Sequence, residues 1–291
     1  MGKEFYDTMP NAKAVIDLAS EQTGLDIPAL CFEENDKLNI TEYTQICMLA
    51  VEAAIYQAII DKGITPDVTA GLSLGEYGAL IASGAMTMAD AFAVVRKRGI
   101  YMQEAVPTGG AMTAVLGLDP QVIEDICKKT VDETNSVVSV ANYNCPGQIV
   151  ITGEKAAVDT AAAACSEAGA KRCVPLKVSG PFHSAMLKGA GEKLADALES
   201  VEIHDIKVPY ITNVTADYVK SPADVKDYLT QQVSSSVRWQ QTIERLIADG
   251  ADEFVEIGPG RSLSGFMRKI NRDVKVVNID KLEDFEKYVN R

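Results

Sequence analysis

The stretch Val68-Thr69-Ala70-Gly71-Leu72-Ser73-Leu74-Gly75-Glu76-Tyr77 constrains this chain more than any other. A short β-compatible run meets Gly-x-Ser-x-Gly, and a helix-compatible run follows. The two glycines let the backbone turn sharply without Cβ clashes. A serine in that position is held out at the tip of a strand-to-helix turn, as in a nucleophile elbow. The backbone N–H of Leu74 can then face an oxyanion, helped by the positive end of the following helix. The competing reading is a glycine-rich turn that carries an ordinary surface serine. The strand before and the helix after favour the elbow.

An elbow needs an α/β framework, and the rest of the chain reads that way. Residues 11–20 and a longer segment from Thr41 to the stop at Gly63 have helical periodicity, with Ile46, Leu49, Ala50, Ala53 and Ala54 on the second. The elbow strand is expected over 66–70. Thr87 then opens a helix, with Asp90 at capping-box spacing. On that helix Val94, Arg98 and Met102 share one face at i, i+4 and i+8.

From Gly109 the texture changes. Strands are expected over 111–116, 137–142, 148–152 and 172–178, and helices over 120–129 and 154–168. That βαββαβ order is the ferredoxin-like signature. The expected division is therefore a large α/β unit, 1–108 with 179–291, and an inserted small unit, 109–178. The large unit resumes near Ser179, with helices over 188–199, 223–232 and 239–250 and strands over 208–213 and 253–257. Strands alternating with helices imply a parallel, doubly wound sheet.

Charge and cysteine usage narrow the function. A net charge of −13 argues against binding nucleic acid or anionic membranes. The six cysteines have no C-x-x-C pairing and read as scattered thiols of a reducing compartment, with no metal site. No secretory leader is read at the start, and no uncharged apolar run approaches membrane-spanning length, so the cytoplasm is the expected compartment.

A serine hydroxyl needs a base within hydrogen-bond reach. The chain has two histidines. His204 lies between charges in Glu202-Ile203-His204-Asp205, as an exposed connector residue does. His183 follows Gly180-Pro181-Phe182 at a strand end and is the better candidate base. An α/β-hydrolase runs nucleophile, acid, histidine, with the histidine near the C-terminus. His183 has a long segment after it, so that standard arrangement does not apply.

Five ordered motifs now carry a resemblance. They are Gly71-Leu72-Ser73-Leu74-Gly75-Glu76-Tyr77, Arg96-Lys97-Arg98-Gly99, Ala141-Asn142-Tyr143-Asn144-Cys145-Pro146-Gly147-Gln148, Gly180-Pro181-Phe182-His183-Ser184 and Glu256-Ile257-Gly258-Pro259-Gly260. Together with the inserted ferredoxin-like unit, the chain resembles the malonyl-CoA:acyl-carrier-protein transacylases over nearly its whole length. The resemblance implies a parallel-sheet serine acyltransferase core, malonyl-CoA as substrate, acyl carrier protein as partner and no cofactor. It implies Ser73 as nucleophile, His183 as base, the Leu74 N–H as oxyanion donor and the Gln232 carbonyl as the group that orients the histidine. Arg98, the third member of Arg96-Lys97-Arg98, matches the family's carboxylate-binding arginine; the competing reading is a solvated helix charge, the usual fate of an arginine in such a run. Met102 and Phe182 would line the acyl pocket, and Asn142 and Gln148 the cleft between the two units.

Two departures stand out. Leu72 occupies a position where many relatives carry histidine. Relatives also begin with a hydrophobic strand and a Gly-Gln-Gly-x-Gln loop, and this sequence is expected to start just downstream of that loop, without its oxyanion-donating glutamine. Two other readings stay open: a serine thioesterase or hydrolase, and a weakly catalytic carrier-binding protein. Lys171, Arg172, Lys177 and Lys188 are the expected docking charges for an acidic carrier.

Overall fold

The computed structural model describes residues 1–178 and 180–291; Ser179, where the large unit was expected to resume, lies outside the described residues. In chain order the elements are α1 (Lys3–Thr8), α2 (Pro10–Thr23), α3 (Ile27–Phe32), α4 (Thr41–Ile60), β1 (Thr69–Ala70), α5 (Gly75–Ser83) and α6 (Met88–Ala105). Then come β2 (Gly110–Leu116), α7 (Pro120–Thr134), β3 (Val138–Cys145), β4 (Gln148–Glu154), α8 (Lys155–Glu167) and β5 (Arg172–Pro175). The chain closes with α9 (Lys188–Glu199), β6 (Tyr210–Ile211), α10 (Val225–Gln232), α11 (Trp239–Ala248), β7 (Glu253–Ile257), α12 (Ser262–Ile270), β8 (Lys275–Ile279) and α13 (Leu282–Val289).

Local sequence sets many of these boundaries. Pro10 opens α2 and Gly24, in the left-handed region, ends it. The Thr87 hydroxyl accepts from the Asp90 N–H at 3.1 Å and donates to the Asp90 carboxylate at 2.6 Å, which caps α6. The Asp119 carboxylate caps α7 by accepting from the Gln121 N–H at 2.9 Å, with Pro120 as the first helical residue. Helix α4 is long and apolar enough to cross a membrane. Its Ile46, Leu49, Ala50 and Ile55 are instead buried against neighbouring elements, chiefly α2 and α6.

The parallel pairing expected of the α/β framework is present, in two ladders. β1 pairs with β6, Thr69 opposite Tyr210 and Ala70 opposite Ile211. β7 pairs with β8 over its whole length. No ladder joins the two pairs among the described residues, so the strands do not form the single continuous sheet that alternation implied. The expected strands also shorten: 66–70 to Thr69–Ala70, 172–178 to Arg172–Pro175 and 208–213 to Tyr210–Ile211. In each case the residues left out of the ladder include a proline or a polar side chain: Pro66 and Asp67, Lys177, and Pro209 and Asn213. The opening residues fold as α1, with Phe5 packed edge-on against Phe285 of α13.

Between α6 and α9 lies a four-stranded antiparallel sheet in the order β3-β4-β2-β5. α7 and α8 pack together against it over a separate apolar core that includes Val115, Ile123, Ile149, Ile151 and Val158. Element order and strand order are those of a ferredoxin-like fold. Past a register shift between Val140 and Asn142, β3 stays paired with β4, and Asn142 also bridges Val237, just ahead of α11.

Candidate active site

The β1–β6 ladder places the site. Because the two strands are parallel, their C-terminal ends lie side by side, the usual position for a site in an α/β sheet. β1 runs into Gly71-Leu72-Ser73 and β6 into Thr212-Asn213. The Asn213 side chain spans the gap: its Oδ1 accepts from the Ser73 N–H at 2.6 Å and its Nδ2 donates to the Gly71 carbonyl at 2.6 Å. Ser73 has a φ of 53°, a left-handed conformation that costs a non-glycine residue about 1–3 kcal/mol. Asn213 holds the turn against that cost.

The two glycines of the motif differ. A Cβ on Gly71 would lie 1.9 Å from the Gly75 carbonyl, whereas a Cβ on Gly75 meets nothing within 4 Å. Only Gly71 is required by close approach, a correction to the reading that both glycines relieve clashes. No protein group accepts from the Leu74 N–H among the described residues, and this N–H lies at the start of α5, beside Ser73.

The Ser73 Oγ lies 2.8 Å from the His183 Nε2. On the other side of the ring, Nδ1 lies 2.8 Å from the Gln232 carbonyl oxygen. A carbonyl can only accept, so Nδ1 carries the proton and Nε2 is left free to take one from serine. That carbonyl belongs to the last residue of α10, where helix carbonyls lack intrahelical partners and the helix dipole is negative. His183 also has a positive φ, 60°. Its loop is wedged where the backbone of Gly110 meets the Pro181 ring, since a Cβ there would come within 2.3 Å of Pro181. Burial, then the nearby Arg98 charge, hold the imidazole pKa down at about 4. The ring is therefore a neutral base throughout the physiological range.

Arg98 does not follow its neighbours in the run. Arg96 pairs with Glu42 at 2.8 Å, and Lys97 is exposed. Arg98 is 1% exposed, and its guanidinium donates to Gln45 Oε1 at 2.5 Å, to Gln232 Oε1 at 3.0 Å and to Ser73 Oγ at 3.1 Å. All three partners are neutral, and Nε has none. The Tyr77 ring faces the guanidinium at 5.6 Å. A buried cation without a carboxylate partner, beside the serine hydroxyl, can pair with an anionic group placed next to it.

The other expected residues fall in two places. Met102, 2% exposed, accepts through sulfur from Gln45 Nε2 at 3.5 Å and so backs the residue that holds Arg98. Phe182 is half-buried beside His183 and packs against Met112, Ala114, Ala141 and Val150 of the small sheet. Asn142 and Gln148 lie where that sheet meets α11 and α12; Gln148 accepts from Lys269 at 3.2 Å. Neither makes a hydrogen bond to Ser73, His183 or Arg98. His204 is away from the site, 3.6 Å from Glu202.

Three residues of the site escaped sequence reasoning: Glu76, Asn213 and Gln45. Glu76 is fully buried, and its Oε2 accepts from Gln232 Nε2 at 2.7 Å and from the Asn213 N–H at 3.1 Å. Burial pushes its pKa up, against the pull of those donors and of Arg98. Gln45 is one of several polar residues on α4, with Thr44, Glu52 and Gln57, and only its burial sets it apart.

Known proteins resemble this chain over nearly its whole length. The model of the acyl transferase domain family matches residues 1–279. The malonyl CoA-acyl carrier protein transacylase of Bacillus subtilis (strain 168) is 46% identical over 288 residues, covering 98% of this chain and 90% of that protein. The crystal structure of MCAT from Streptococcus pneumoniae superposes with a TM-score of 0.95 at 45% identity, covering 100% of this chain and 94% of that one. A malonyl-transacylase solved in complex with a type II PKS acyl-carrier protein gives 0.96 at 37% identity, with 100% and 94% coverage.

Proposed function

This chain belongs to the acyl transferase domain family, and from that membership we propose that it transfers a malonyl group from malonyl-CoA to the phosphopantetheine thiol of an acyl carrier protein in fatty-acid biosynthesis. The observation that carries the reading is Arg98: a buried guanidinium with neutral partners, 3.1 Å from a serine oxygen that also contacts a neutral histidine.

In this proposal Ser73 Oγ attacks the thioester carbonyl while His183 Nε2 takes its proton. Negative charge develops on the carbonyl oxygen, toward the Leu74 N–H. The intermediate collapses, the C–S bond breaks, and the coenzyme A sulfur leaves with the proton held by His183. The carrier thiol then gives its proton to His183 and attacks the malonyl-serine ester. Ser73 leaves and recovers the proton. The Gln232 carbonyl keeps the ring oriented and stabilises the imidazolium that forms in each half-reaction. Arg98 holds the free carboxylate of the malonyl group, which an acetyl group lacks. Met102 and Phe182 shape the acyl pocket, and Asn142 and Gln148 line the approach from the small unit. Every proton and electron pair is carried by side chains, backbone or the two thiols, so no cofactor is invoked.

We keep the division into 1–108 with 179–291 and 109–178 as part of the same reading, supported by the separate core of the small sheet. The cytoplasm is the proposed place of work. Lys171, Arg172, Lys177 and Lys188, all exposed, are the proposed docking charges for the carrier.

Intact-mass measurement after brief mixing with malonyl-CoA tests the proposal. A malonyl adduct on Ser73, absent in Ser73→Ala and discharged by a carrier bearing its phosphopantetheine thiol, is the expected result. Release of free malonate at the same rate with and without carrier would make the protein a hydrolase. No adduct and no turnover would leave a carrier-binding protein.

A further inference from the structure

Arg98 poses a charge question that the transfer reaction leaves unanswered. A buried guanidinium is costly without a counter-charge, and no carboxylate lies within ion-pair distance of it among the described residues. Glu76 is the buried carboxylate next in line. The two are joined through one side chain: Gln232 Oε1 accepts from Arg98 Nη2 at 3.0 Å, and Gln232 Nε2 donates to Glu76 Oε2 at 2.7 Å and to the Ser73 carbonyl at 3.0 Å. The amide can sit only one way round, because a guanidinium only donates. Both bonds to Glu76 Oε2 come from N–H groups, Gln232 Nε2 and the Asn213 N–H, and Oε1 makes no hydrogen bond. Those two donors and the Arg98 charge one amide away favour the carboxylate, against the burial that favours the acid.

We propose that Glu76 is the counter-ion of Arg98, held one amide away by Gln232, and that it sets how strongly the site prefers an acyl group bearing a carboxylate. The inference rests on the reading of Arg98 as the malonyl receptor. Direct contact would neutralise the guanidinium and close the receptor. With no counter-ion, the cation would be poorly compensated when empty and would hold a dicarboxylic acyl group too tightly to pass it on. One intervening amide balances the charge and leaves Nε without a protein partner. Glu76 is thus a positioning residue that acts through Gln232 and does not touch substrate.

The test compares single-turnover acylation of Ser73 by malonyl-CoA and acetyl-CoA, followed by intact mass, in wild type, Glu76→Gln, Gln232→Met and the double variant. Glutamine keeps an acceptor for Gln232 and Asn213 but removes the charge. The preference for malonyl over acetyl should rise about tenfold, the low end of one nearby charge's effect, through a lower half-saturating malonyl-CoA concentration. Gln232→Met cuts the bridge, leaves the backbone carbonyl to His183, and should move the preference the same way. The double variant should add little, because both changes cut one path. An unchanged preference, equal slowing of both substrates, or additive effects would overturn the proposal and leave Glu76 a structural brace. If Glu76→Gln does not fold, an unchanged preference in Gln232→Met overturns it alone. A wild-type chain that takes up no malonyl fails the functional reading and takes this inference with it. Failure in a chain that acylates normally is failure of this inference only.

Discussion

His183 is held neutral by burial and by the charge of Arg98, and both leave a signature in pH dependence. A histidine acts as a base only when unprotonated, so activity is lost as pH falls through its pKa in the folded protein. The acylation rate of Ser73 at limiting malonyl-CoA should stay level through pH 6.5 and halve near pH 4. Arg98→Met should move that midpoint upward, because one of the two depressing influences is gone. Arg98 has a second effect in the resting site, where it donates to the oxygen that must attack. A bound carboxylate would draw the guanidinium away and free that oxygen. Arg98→Met should therefore cost malonyl acylation about 10²–10³-fold, the scale of losing one partner of a buried charge pair. Acetyl acylation should hold or improve. Equal losses on stopped-flow or quench-flow traces with the two thioesters would mark Arg98 as a structural residue.

Among the elements, the strand–turn–helix from β1 to α5 decides most. Its two glycines look equivalent in the pattern Gly-x-Ser-x-Gly, but the fold separates them. Gly71→Ala would force the turn open, since the new methyl would overlap the Gly75 backbone. A displacement of that size at a nucleophile costs about 10²-fold in acylation or more, and the melting temperature should fall with it. Gly75→Ala has open space at the first position of a helix that favours alanine over glycine, so acylation within a fewfold of wild type and an unchanged or raised melting temperature are expected. The elbow itself was legible because turn chemistry is local. Which glycine the turn requires depends on how tightly α5 folds back over β1, and only the folded backbone sets that.

For the whole molecule, a net charge of −13 opposes long-range attraction of an acidic carrier, so a local basic patch must guide the encounter. Lys171, Arg172, Lys177 and Lys188 are exposed along the return from the small sheet to α9. Reversing the charge of Lys177 and Lys188 together should raise the half-saturating carrier concentration about tenfold and flatten its dependence on salt, with the malonyl-CoA dependence unmoved. Steady-state transfer at two ionic strengths checks this, and an unchanged carrier dependence would move the docking surface to another face.

Sequence alone was enough for features whose cause lies within a few residues: the elbow at Ser73, the Thr87 cap, the alternation of strands and helices and the ferredoxin-like insertion. It also singled out His183, because only two histidines were available and one of them stood beside a Gly-Pro turn. Tertiary structure decided everything that depends on distant elements meeting. Asn213 reaches Ser73 across 140 positions, and Gln232 reaches it across 159. Nothing in the local pattern of a helix-end glutamine announces that its carbonyl serves His183 while its amide joins Glu76 to Arg98. The same holds for the run Arg96-Lys97-Arg98, where three adjacent cations have three fates: an ion pair, solvent and the buried centre of the site. The helical turn spreads their side chains over different faces, and packing of α6 against α4, α9 and α2 determines which face is the inside.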